Sequence, residues 1–248
     1  MTGSALVTAV RQELSAAGDP DRAREQQRYM KSTLPFRGLT APELRTLLRP
    51  VLDEHRIHDR GEWEHAAREL WDGATYREEW YATLALLRHR FYRPWRDPEF
   101  LDLALHLVRT GAWWDVVDEA AAHLVGGVLA GYRDRVTPWV DAWAEDEHLW
   151  VRRTAVLSQL RHGDRTDTAL LARVLDANLE GSRYGSEFFV RKAVGWALRQ
   201  YARTDEAWVR AYVAERADRL SGLSRREALK HLGGDTGQTG TRSSAPTR

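Results

Sequence analysis

Cysteine is absent from this 248-residue chain. That excludes disulfides, thiolate metal sites and cysteine nucleophiles, and it predicts a cytoplasmic protein. Lysine is nearly absent: Lys31, Lys192 and Lys230 stand among 37 basic residues. Chemistry that runs through a lysine Schiff base therefore has few candidates. No apolar run approaches the roughly 20 residues that span a bilayer, so no membrane partner is predicted. The start, "MTGSALVTAVRQELSAAG", lacks a basic stretch followed by a long apolar one, and no signal peptide is expected. The P-loop pattern, the dinucleotide G-x-G-x-x-G, H-E-x-x-H and G-x-S-x-G are all missing. No cofactor is implied. His55, His58 and Asp59 in "DEHRIHDR" read better as a solvated helix end than as a metal site.

What is present is helix. "TAPELRTLLRPVLDEHRI" opens on Thr40, has Pro42 in its first turn, and sets Leu44, Leu47, Leu48 and Val51 at helical spacing. "EEWYATLALLRHRFY", "PEFLDLALHLVRT", "VRRTAVLSQLRH", "TALLARVLDANLE" and "EFFVRKAVGWALRQYA" repeat apolar residues three and four apart. No segment alternates as a strand would. About ten to fourteen helices are expected, with essentially no sheet. Arg45, Trp80, Trp114, Arg153 and Trp196 recur at intervals near 40 residues, the period of paired-helix HEAT-type arrays. The chain thus reads as an all-α solenoid of HEAT-like repeats over residues 1–232. The glycine-rich "GGDTGQTGTRSSAPTR" (233–248) is expected to be a disordered tail.

Net charge is +1, but it is unevenly spread. Residues 111–150 carry eight acids and two bases, and residues 183–248 carry thirteen bases and seven acids. An anionic partner could meet a basic surface despite the balanced total. Eleven tryptophans are many for this length. Trp63, Trp71, Trp139, Trp143 and Trp208 sit where an aromatic seals a helix-helix contact. Trp114 and Trp196 keep different company. Trp114 is four residues before Asp118 in "GAWWDVVDEAAAHL" and shares a helix face with it. Trp196 is flanked by Arg191, Lys192, Arg199 and Arg203, a combination that stacks bases and holds phosphates. Arg153, one repeat after Asp118, is a candidate partner for that carboxylate. The residues alone leave two readings of the pair, a salt bridge between stacked repeats or a working site.

Six segments in order resemble the DNA alkylation repair family, the AlkD-type DNA glycosylases. They are "YMKSTLPFRGLTAPELR", "ELWDGATYREEWYATLALL", "WWDVVDEAA", "LWVRRTAVLSQL", "EFFVRKAVGWALRQYART" and "LSGLSRREALKHL", covering residues 29–232. The resemblance implies a superhelical solenoid whose concave face holds duplex DNA. It implies a monofunctional glycosylase that hydrolyses the N-glycosidic bond of N3- and N7-alkylated purines, beginning base excision repair. It also implies backbone contact without a deep base-flipping pocket, no metal, and a monomer. By match of position, Asp118, Trp114, Trp196 and Arg153 are the expected catalytic set. Tyr29, Arg45, Arg191, Arg199 and Arg203 are the expected DNA-binding set. Two departures stand out. Arg203 occupies a position where the family also has lysine, and "LEGSRYGSE" (179–187) lengthens a loop expected near the lesion. Bulky purine adducts handled in self-protection are an alternative substrate. A non-catalytic HEAT scaffold that binds DNA or protein is an alternative of a different class.

Overall fold

A computed structural model describes residues 2–232. The tail expected over 233–248 lies outside the described residues. Fourteen α-helices and no strands occur among those described. In chain order they are α1 (Thr2–Ala16), α2 (Pro20–Met30), α3 (Ala41–Glu54), α4 (Arg60–Asp72), α5 (Arg77–Arg88), α6 (Leu101–Gly111), α7 (Trp114–Glu119), α8 (Gly126–Gly131), α9 (Arg133–Ala144), α10 (Leu149–Leu157), α11 (Thr168–Asp176), α12 (Phe188–Tyr201), α13 (Glu206–Glu215) and α14 (Gly222–Ala228). Starts follow local chemistry. Thr40 accepts from the Glu43 amide while Glu43 reaches back to the Thr40 amide, closing a capping box on α3. At α2, α4, α11, α13 and α14 the side chains of Asp19, Asp59, Asp167, Asp205 and Ser221 accept from first-turn amides, a one-way cap.

The helices form two layers. One runs α3, α5, α7, α10, α12, α14, each helix packed on the next. The five residues that mark the 40-residue period fall on the first five of these helices. The other layer runs α4, α6, α9, α11, α13 and is laced by polar ties. Trp71 Nε1 donates to Thr110, and Arg109 pairs with Asp146 at 2.8 Å, Arg173 with Asp141 at 3.0 Å and Arg216 with Asp176 at 2.5 Å. The partners lie 32 to 40 residues apart in sequence. A tie that recurs at the repeat length is what stacked repeats produce, since each unit touches its neighbours. The apolar core follows the same path in two clusters that meet at α10. Val151 and Ala155 belong to the first, Val156 and Leu157 to the second.

Trp63, Trp71 and Trp143 are buried as the sequence predicts. Trp63 is ringed by Tyr92, Trp95 and Phe100. Trp139 departs from that expectation. It is exposed and meets Trp143 edge to face, because α9 carries both on neighbouring turns and only Trp143 points inward.

Between α7 and α8 the chain does not break. It passes through a π-helical turn, Ala120–Val125, into Gly126. A Cβ at Gly126 would stand 2.3 Å from the Ser158 carbonyl oxygen at the end of α10. Glycine lets this segment lie against α10 backbone to backbone. Gly126→Ala should lower stability by about 2 kcal/mol or more, the range for overpacking a tight contact. The urea midpoint of unfolding checks it.

Candidate functional site

The site is built on α7. Ala112 ends α6 in the left-handed region, and Trp113 is extended, so a new helix begins at Trp114 with its first turn facing α5 and α10. Trp113 itself packs on Trp150 and Phe189. Asp115, in the first turn, is fully engaged by α5. Arg77 donates to it at 2.6 and 3.3 Å, and the Tyr81 hydroxyl donates at 2.6 Å. Burial and this carboxylate push the Tyr81 phenol far above its usual range, so it remains a donor.

One turn later Asp118 faces α10. Arg153 Nε donates to its Oδ1 at 2.7 Å and Nη2 to its Oδ2 at 2.8 Å. The third nitrogen, Nη1, donates to the Phe189 carbonyl at the start of α12, and the Phe189 ring lies over the guanidinium. The pair is asymmetric in exposure. The Arg153 side chain is 4% exposed and that of Asp118 15%. An approaching molecule therefore meets the carboxylate, and Arg153 acts only through it. Burial pushes the Asp118 carboxyl above its ordinary value, Arg153 pulls it down, and Asp115 adds a smaller upward push; the net is upward. The outcome is an oriented carboxylate in a half-dry setting, flanked on its own helix by the half-buried Trp114. Such a group can stabilise a developing positive charge or orient a water.

The remaining predicted residues are placed as follows. Trp196 is half-buried on α12 and shares a face with Phe189, seven residues earlier. Among the described residues no ring contact joins it to Trp114. Tyr29, 75% exposed, and Arg45 line an open groove together with Asp115 and Glu119 of α7. Its lining includes the apolar Phe36, Leu44, Leu48 and Leu84. Arg199 is not free. It pairs with Glu227 of α14, which also holds Lys192 at 2.5 Å. Arg191 keeps a buried Nε without an acceptor. Arg203 is exposed, just past α12, and has no ion pair among the described residues.

Sequence reasoning missed Arg77, Tyr81, Phe189 and Glu227. The first had a signal, since Arg77 and Asp115 are separated by the repeat length. Phe189 had none, because it acts through a backbone carbonyl. The long loop 177–187 explains its placement. Tyr184 donates to the Glu147 carbonyl at 2.5 Å and the Glu180 amide to the Arg219 carbonyl at 3.0 Å, and the loop then enters α12 at Phe188. Gly185 is required there, because a Cβ would stand 1.9 Å from the Leu179 carbonyl oxygen. His55 ends α3 and Asp59 caps α4, and among the described residues no cluster of three acidic or histidine side chains is arranged to hold a metal. No described helix is long and apolar enough to cross a membrane.

Comparison with known proteins adds to this geometry. The family model for the DNA alkylation repair enzyme matches residues 10–232. A solved structure from Enterococcus faecalis, described as a predicted DNA alkylation repair enzyme, superposes with a TM-score of 0.77. It is 29% identical, over 88% of this chain and 98% of that one. No curated protein sequence matches the chain.

Proposed function

The chain belongs to the DNA alkylation repair enzyme family, and on that premise we propose that it is a monofunctional DNA glycosylase for N3- and N7-alkylated purines in duplex DNA. The observation that carries this reading is the Asp118 carboxylate, reachable by solvent and locked by an arginine that is not. Alkylation at N3 or N7 makes the base cationic and a good leaving group. When the C1′–N bond breaks, its electron pair leaves with the base and neutralises it. Positive charge then builds on the deoxyribose. Asp118 stabilises that charge and orients water, whose oxygen bonds to C1′ while its proton passes to the carboxylate or solvent. Trp114 and Trp196 flank the sugar and supply cation–π contacts. No lysine is needed, and the product is an abasic site. The protein acts as a monomer.

Incubation with methylated duplex DNA, followed by identification of the released bases, tests the reading. Release of 7-methylguanine and 3-methyladenine is expected, and no release overturns it. One observation favours a second substrate class. The open groove beside α7 has apolar lining residues, Phe36, Leu44, Leu48 and Leu84, next to Asp115 and Glu119, so excision of bulky purine adducts should be assayed in parallel.

Tyr29, Arg45, Arg191, Arg199 and Arg203 are the proposed DNA contacts. Arg203→Ala should weaken binding to damaged and undamaged duplex alike, and lower the slope of log affinity against log salt by about one. Arg199→Ala should change the slope less, because Glu227 already neutralises that side chain. Fluorescence anisotropy across a salt series reads both.

A further inference from the structure

At the C-terminal ends of α5 and α10 the charge pattern changes. Arg88 ends α5, Arg96 follows the 3-10 segment after it, His123 lies in the π-helical turn, and Arg161 follows α10. Both α5 and α10 pack on the π-helical turn, and Gly126 at the end of that turn lies against the Ser158 carbonyl, three residues before Arg161. The charges of Arg161, Arg96 and Arg45 reach Arg88 and, after burial, hold its guanidinium below the usual arginine value. Burial and the charges of Arg88, Arg161 and Arg96 push His123 down to about 4, so it is neutral near pH 7. The carboxylate tied into the group is Glu119, which pairs with Arg88 and stands 3.6 Å from His123 Nε2.

Carboxylates are scarce in this group. Elsewhere an arginine typically meets a carboxylate from the next repeat, as Arg60 does Asp97 and Arg77 does Asp115. Here only Arg88 has one, Glu119. Arg161 is exposed and has no acidic partner among the described residues, and Arg96 keeps a buried Nε with no acceptor. Like charges held together repel, and a phosphate is the anion whose geometry suits converging guanidinium forks.

We infer that Arg88, Arg96, Arg161 and His123 form a binding site for one backbone phosphate of the DNA, with Glu119 holding Arg88 until the DNA arrives. The inference rests on the reading of the chain as a protein that acts on DNA. Glu119 is the residue after Asp118, so the two side chains leave one helix about 100° apart. Asp118 turns to α10 and Glu119 to α5. A phosphate bound here would fix the strand beside the Asp118 carboxylate, with no sequence readout.

The test is binding of undamaged duplex DNA by the whole chain, measured by anisotropy across a salt series. Arg161→Ala is expected to lower affinity several-fold and to reduce the salt slope by about one. Arg161 is exposed, so this variant should fold. Glu119→Gln is expected to raise affinity at low salt, since it frees Arg88 and removes a charge that repels DNA. An unchanged slope in Arg161→Ala, or no gain in Glu119→Gln, overturns the site. These outcomes are separable from the glycosylase reading. If no base is released but the slope shifts, the phosphate site stands without the reaction. If bases are released and the slope does not move, the reaction stands without this site.

Discussion

Asp118→Asn is expected to lose about 10²- to 10³-fold in the rate of 7-methylguanine release, the usual effect of deleting a group that stabilises transition-state charge. Asparagine keeps the shape and one oxygen for Arg153, but it cannot offset a cation forming on the sugar. Duplex binding should persist, because the proposed phosphate contacts are other residues. The variant should fold with a lowered Tm, since the Arg153 guanidinium stays buried with less compensation. Single-turnover excision on methylated duplex, with anisotropy in parallel, separates the two effects. Full excision by the variant would reduce Asp118–Arg153 to one more tie between repeats. That outcome is a real alternative, because the pair has the same sequence separation as the structural ties, 35 residues.

Arg153→Ala is expected to be the most destabilising change at the site, by about 3–5 kcal/mol, the cost of leaving a buried charge without its partner. It would remove both bonds to Asp118 and the bond to the Phe189 carbonyl that fastens α12 to α10. Stability alone cannot tell a structural arginine from one that positions a catalytic carboxylate, so the pH profile is the decisive readout. Arg153 holds the Asp118 carboxyl down against burial and Asp115, which both push it up. With Arg153 gone, the carboxyl protonates at higher pH. The acidic limb of excision should therefore move upward in the folded variant, below its lowered Tm. Arg153→Lys keeps the charge but not the fork, and should restore the limb in part. An unmoved limb would mean that Arg153 does not act through Asp118.

Much of the fold was legible because it is local and periodic. Thr40, Glu43 and Pro42 start a helix by contacts within one turn, and the recurrence from Arg45 to Trp196 marks successive helices of one layer. The site was legible in part. Asp118 with Arg153 was available as a candidate pair from the repeat length, and the structure brings the two together. The roles of the remaining neighbours were not. Trp113 and Asp115 read in sequence as packing and helix-start residues, and Trp113 does pack on Trp150 and Phe189 with Asp115 in the first turn of α7, but that Asp115 also takes Tyr81 was not in the pattern. Arg199 reads as a free cation in sequence and is held by Glu227, 28 positions away on the next helix of the layer.

The sequence by itself determined the helices, their period, the stacking order and the family, because each depends on residue type at fixed spacing along the chain. Tertiary structure alone decided which charges are already neutralised, which of two paired groups solvent can reach, and where unpaired arginines gather. Those depend on distances between helices and on burial, and a side chain's charge and exposure are set by neighbours that its own segment does not encode.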